Sequence, residues 1–280
     1  MIGPIVLVVV IVVVFIVVST TSDTSSTHPP PPPPGPKETA SLVAKVTGVP
    51  ESVFVKVGLP SEIDNPPRKL TGEAPLTQGG LPVVLYVGAE YCPFCAAERW
   101  AIIMALSKFG TFSGLTTIFS SPSDFAPNTP SFTFYKSTYA SRYLVFAPYE
   151  LATNKPVTSA DECNVDGYAC LQSKVPATYL RLFKSQTVGD SSFPFIDFAN
   201  KGVQSGAGFE DQPLLLAGMT QSQVATQLYN PASAVAQAED GSANYMTAAI
   251  CAITGNKPAA VCSAPYVKKA ESKAGIASAG

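Results

Sequence analysis

Histidine is almost missing: the 280 residues contain one, His28. Structural zinc takes four ligands, usually Cys or His. With one histidine and a single C-x-x-C, the ligands are too few, and no metal is expected. Charge is scarce at 14 % of residues, with a net charge of −2. That balance gives no electrostatic case for nucleic acid as a partner. No run of Lys or Arg marks an anionic lipid surface. The first basic residue is Lys37, so the positive-inside rule cannot orient the N-terminal segment. A basic leader and an A-x-A cleavage site are missing as well.

What stands at the N-terminus is apolar. As a helix, residues 2–18 would span roughly 26 Å at ~1.5 Å per residue, close to a hydrocarbon core of ~30 Å. Residues 1–18 are read as a transmembrane anchor, with a cleaved signal segment as the alternative. Ser, Thr and Pro dominate residues 19–40 without periodicity, and residues 29–34 are six consecutive prolines. Such a segment builds no core and forms a stiff polyproline II spacer. The expected arrangement is single-pass, in the cell membrane, with the globular part outside the cytoplasm.

That part is expected at 41–265, followed by a polar tail, 266–280. "ASLVAKVTGV" reads as a short helix and "ESVFVKVG" as a helix or strand. "PVVLYVG" is a run of β-branched and aromatic residues and reads as a buried strand. "PFCAAERWAIIMALSKFG" reads as a helix from residue 93 to about 109, stopped by Gly110. "GLTTIFSS" is a further strand, and "SFTFYKSTYASRYLVFAPYEL" reads as two. An insertion at about 121–175 carries a polar stretch with Cys163 and Cys170, ahead of a helix near "ATYLRLFKSQ". "SFPFIDFANKGVQSGAGF" reads as a hairpin turning at Asn200-Lys201-Gly202. The remainder is helical, and "TQSQVATQLYN" opens on a Thr cap.

The stretch "GAEYCPFCAAERW" carries the chemistry. Cys92 falls at the N-cap of the helix, and Pro93 in its first turn, where its missing N–H costs nothing. The free N–H groups and the positive end of the helix dipole then favour a Cys92 thiolate. Cys95 follows one turn later, within bonding reach. An attacking thiolate beside a sheltered resolving thiol is what thiol–disulfide exchange needs. Glu98 and Arg99, further along the helix, could handle the Cys95 proton, but on a helix they read as solvated.

"VLYVGAEYCPFC" resembles the active-site strand and turn of the thioredoxin superfamily, and Pro93-Phe94 resembles glutaredoxins. The wider run through "GAEYCPFCAAERWAIIMALSKFGTFSGL", "NTPSFTFY" and "FPFIDFANKG" looks like a family of membrane-anchored, thioredoxin-like proteins of unknown function from archaea and actinobacteria, over roughly residues 40–265. The resemblance implies an α/β, thioredoxin-like domain: a central mixed sheet flanked by helices. It also implies a redox role and a cis-proline facing the cysteine pair. Pro194 fits the family order better than Pro130. Tyr86 stands where thioredoxins place a buried acid, so no proton acceptor for Cys95 is identified. Glutathione signals are not evident, and no cofactor is expected.

Six cysteines suit an oxidising compartment. Cys163, Cys170, Cys251 and Cys262 allow three pairings. Pairing each with its neighbour is the economical choice, and leaves Cys92 and Cys95 to each other. Tyr91, Phe94 and Phe193 flank the pair and would offer a client an apolar shelf. Two functions compete. One is a membrane-anchored thiol–disulfide oxidoreductase whose partners are protein thiols or disulfides and a membrane redox partner. The other is a stalked binding module with an inert disulfide. An exposed Cys92 fits the first; a buried one fits the second.

Overall fold

The computed structural model describes residues 32, 34–159, 163–171, 175–186 and 193–276. The anchor expected at 1–18 lies outside them, as do residues 19–31 and 33 of the spacer. No helix among the described residues is long and apolar enough to cross a membrane.

The chain opens with α1 (Pro36–Thr47) and α2 (Glu51–Val57). The strand pairs and helix that hold the cysteines follow: β1 (Arg68–Lys69), β2 (Thr77–Gln78), β3 (Leu81–Gly88) and α3 (Pro93–Ser107). Next come β4 (Gly110–Ser113), β5 (Thr116–Phe119), β6 (Pro130–Thr133), β7 (Thr138–Ser141), β8 (Val145–Glu150), β9 (Ala152–Pro156), β10 (Asn164–Val165) and β11 (Tyr168–Cys170). After α4 (Ala177–Gln186), β12 (Phe195–Phe198) and β13 (Gly202–Ser205), the chain ends in helices. These are α5 (Gln212–Leu216), α6 (Gln221–Gln227), α7 (Ala234–Ile253), α8 (Ala259–Cys262) and α9 (Pro265–Ala274).

The fold is mixed α/β, with a central mixed sheet flanked by helices. β3 is its middle strand, antiparallel to β12 and parallel to β8. A strand alternates its side chains between faces. Val83, Leu85 and Val87 therefore point to one face, packing with Phe183 of α4 and with Phe195 and Val203. Val84 and Tyr86 point to the other, where α3 and α7 bury the larger core. Every residue of α3 from Cys95 to Leu106 is buried. A helix apolar nearly all round must be covered on several sides; α3 packs on α7 and β6 and shares a core cluster with Val84, Tyr86, Ile196 and Phe198 of the sheet.

Some expectations change. Of the two readings of "ESVFVKVG", the helix is the one found, at Glu51–Val57. Gly110 does not stop α3; it opens β4, where a Cβ would lie 2.6 Å from the Tyr139 hydroxyl. The segment expected as two strands holds three, β6, β7 and β8. The helical start moves forward to Pro36. Beyond Ala264, residues 266–274 of the expected polar tail are helical and bury Tyr266, Val267 and Ala270 on α7. The β12–β13 hairpin forms, with Ala199 and Asn200 at positive φ in its turn. Thr220 caps α6 in a reciprocal pair with Gln223.

Candidate functional site

β3 delivers the chain to the start of α3, and Cys92 is the N-cap residue. Its extended backbone, φ −71° and ψ 122°, turns the sulfur back over the first helical turn. The Cys95 N–H donates to that sulfur at 3.3 Å. Neither cysteine is in a disulfide. Burial opposes a Cys92 thiolate. The side chain and N–H of Cys95, the Arg99 charge and the Phe94 N–H together outweigh it, and its pKa falls below the usual thiol value. Cys95 moves the other way: burial, its bond to Cys92 and the charge there hold its proton on. One sulfur is thus prepared as a nucleophile and the other stays protonated.

The pair is more covered than its sequence suggests. Cys92 is 7 % exposed and Cys95 0 %, so the partly exposed nucleophile expected of an enzyme is not found. Part of the cover is the β10–β11 hairpin, whose Val165 and Tyr168 pack against the cysteine cluster beside Phe94 and Phe193. The Tyr168 ring stacks on Tyr91 at 4.2 Å, nearly parallel. The Tyr91 hydroxyl donates to the Asp166 carboxylate. Tyr168 pairs with the Ser121 hydroxyl at 2.6 Å. Tyr91 is therefore buried under the hairpin, not part of an open shelf. The hairpin is closed by a Cys163–Cys170 disulfide, and Cys251–Cys262 ties the end of α7 to α8.

Phe94 and Phe193 stay half-buried beside the pair and border an open cleft of about 400 Å³ that also meets Phe209. Phe94 stacks on Phe125, which is itself 53 % exposed. Pro194 follows a cis peptide bond, whereas Pro130 does not. The Pro194 carbonyl accepts from the Gly206 N–H at 2.7 Å, which fixes the start of β12 beside Phe193. Gly206 in turn forms part of the cleft wall.

Glu98 and Arg99 are not solvated; both are fully buried. Arg99 makes a two-bond ion pair with Glu150 at the end of β8 and donates to the Ala89 carbonyl at 2.7 Å. Glu98 faces away from that pair and accepts from Gly208 N–H and Gln204. Burial pushes its carboxyl up to about 7, against the pull of the bonds from Gly208, Gln204 and Gln212. Helical spacing alone could not reveal this, because the partners are distant in sequence. Glu150, Tyr168, Asp166 and Ser121 also escaped the sequence reading. The only signal among them was Asp166-Gly167, which marks a turn but not what the turn covers.

Residues 70–252 match a family described as Domain of unknown function (DUF929). Neither curated proteins nor solved structures give a significant match. With well over half of its length matched, the chain belongs to the DUF929 family.

Proposed function

We propose that the protein is a membrane-anchored, extracytoplasmic thiol–disulfide oxidoreductase with a thioredoxin-like fold. The observation that carries this reading is the cysteine pair itself. Cys92 caps α3 with its pKa lowered, and Cys95 stands beneath it as a protonated thiol. A strand feeding a C-x-x-C at a helix start, on a mixed sheet with a cis-proline at position 194, supports the fold assignment. In the reductive direction the Cys92 thiolate attacks a client disulfide. One client sulfur leaves as a thiolate and the other joins Cys92. Cys95 then displaces it, giving the Cys92–Cys95 disulfide and a second client thiol. The oxidative direction is the reverse. Clients would dock on the Phe94 and Phe193 side, where the cleft lies open, and reach Cys92 once the β10–β11 hairpin lifts. Residues 1–18 would hold the domain at the membrane and 19–40 would lift it off, next to a membrane redox partner that resets the pair.

One observation favours the other reading, a stalked binding module: Cys92 is covered by the β10–β11 hairpin. The two are separated by trapping. In the oxidoreductase, Cys95→Ser accumulates mixed disulfides on Cys92, and Cys92→Ser accumulates none. If Cys95→Ser captures no client, and the wild type neither oxidises a model dithiol nor reduces a model disulfide, the binding module takes over.

A further inference from the structure

Tyr86 is fully buried, and its hydroxyl has no hydrogen-bond partner among the described residues. Buried phenols normally find one. Its surroundings are informative. A Cβ on Gly88 would run into the Tyr86 hydroxyl and would lie 3.1 Å from the Cys95 sulfur. The hydroxyl therefore takes the place that a side chain at residue 88 would fill, and the Cys95 sulfur borders that same place. Arg99 lies over the Tyr86 ring, with its guanidinium carbon 5.9 Å from the ring centroid. Cys95 is sealed from solvent, so water cannot meet a negative charge on its sulfur. The ring of Tyr86 is held independently of its hydroxyl, packed edge-on against Phe134 at 5.0 Å.

We propose that Tyr86 is a positioning residue for the resolving half of the exchange: its hydroxyl turns to the Cys95 sulfur and donates a hydrogen bond to the thiolate that attacks the mixed disulfide. This rests on the oxidoreductase reading above. In that step Cys95 gives up its proton and its sulfur bonds to Cys92. The bond from Cys92 to the client sulfur breaks, and that sulfur leaves with the electron pair. The proton lost from Cys95 is balanced by the one the client thiolate takes up, so no outside oxidant enters. Tyr86 keeps its own proton throughout. It is a donor and not a base, since burial holds its hydroxyl neutral well above the usual range, despite the Arg99 charge. The other groups facing Cys95 are Cys92, Arg99 and Glu150. Glu150 is neutralised by Arg99, which leaves Tyr86 as the uncommitted donor.

The test uses Tyr86→Phe in the full-length chain. The change removes a hydroxyl that has no partner, so folding stability should hold or rise. A mixed disulfide is formed between Cys92 and a short cysteine peptide, and its conversion to Cys92–Cys95 is followed by acid quench and mass spectrometry. The conversion should slow about tenfold, the worth of a hydrogen bond to a charged group, while attack by Cys92 stays within about twofold. A second reading needs no client. In a Cys92→Ala background, the Cys95 Cβ resonance should titrate about one pH unit higher with Phe at position 86, a tenfold loss of thiolate. An unchanged Cys95 titration overturns the proposal, as does unchanged resolution. If the wild type forms no mixed disulfide, the oxidoreductase reading fails first, and the titration still decides whether the hydrogen bond exists. Should Tyr86→Phe fail to fold, 3,5-difluorotyrosine at position 86 keeps the hydroxyl and makes it a stronger donor. Cys95 should then titrate lower, and no movement overturns the proposal.

Discussion

Arg99 and Glu150 lock together beneath the cysteine pair, through two hydrogen bonds of 2.8 Å, with neither side chain exposed. One residue comes from the turn of α3 after Cys95 and the other from the end of β8, so the pair ties helix to sheet. Breaking a buried pair by removing one partner leaves an uncompensated charge, typically at a cost of about 3–5 kcal/mol. Arg99→Met should therefore lower the urea midpoint sharply. Arg99→Met with Glu150→Leu should recover much of that loss, because no charge is stranded. Equal losses in the single and double variants would mean that the pair is not the source. Arg99→Met should also raise the pH at which Cys92 becomes reactive, since Arg99 helps hold its thiolate.

The β10–β11 hairpin should control access to Cys92. Tyr168 stacks on Tyr91, and such an aromatic pair is worth about 1 kcal/mol. Tyr168→Ala should therefore raise Cys92 alkylation by a bulky maleimide roughly fivefold, the factor that energy represents. Alkylation by iodoacetamide should rise less, because a small reagent needs less opening. A rate that does not change with either reagent would show that the hairpin is not the barrier.

Stability should fall as pH rises from about 5 to 8. Unfolded Glu98 titrates near 4.5 and folded Glu98 at about 7, because burial disfavours its charge. Between those values the unfolded chain releases a proton that the folded chain keeps. The unfolded state then binds fewer protons, and stability drops with pH. Asp240 adds the same sign, its value lifted by burial from 3.8 to about 8 against the pull of Lys108. Glu98→Gln should flatten the fall between pH 5 and 7, by up to about 3 kcal/mol for a shift of this size. The measurement is chemical unfolding across the pH series. An equally steep fall in Glu98→Gln would remove Glu98 as its cause.

The two disulfides should open in order. Cys163 is exposed and Cys170 half-buried, whereas Cys251 and Cys262 are 0 % and 1 % exposed. Limited reductant under native conditions should open Cys163–Cys170 first, read by differential alkylation and peptide mapping. Prior opening of Cys251–Cys262 would contradict the burial argument.

Local signals carried the sequence reading a long way. β-branched residues marked β3, Pro93 marked the start of α3, and the Thr220 cap marked α6, because each depends on neighbours within a few residues. The cysteine pair was legible for the same reason. What could not be read depends on distant partners. Arg99 looks like a solvated helix residue until Glu150, 51 positions later, is brought beside it. Glu98 is buried by Gln204 and Gly208, more than 100 positions away. Gly110 looked like a helix stop, but its lack of a side chain serves the close approach of β7. The turn in "NVDGYA" was visible, yet nothing local says that its Asp166 and Tyr168 cover Tyr91.

The central claim is that Cys92 and Cys95 form a reversible redox pair. It is tested most directly by equilibrating the full-length chain in a graded series of dithiothreitol redox buffers, then trapping with acid and mapping by mass spectrometry. The account predicts that Cys92–Cys95 passes between dithiol and disulfide in one two-electron transition, while Cys251–Cys262 stays closed throughout. A Cys92 that never bonds to Cys95 at any potential, or bonds stably to Cys163 or Cys170 instead, would contradict it.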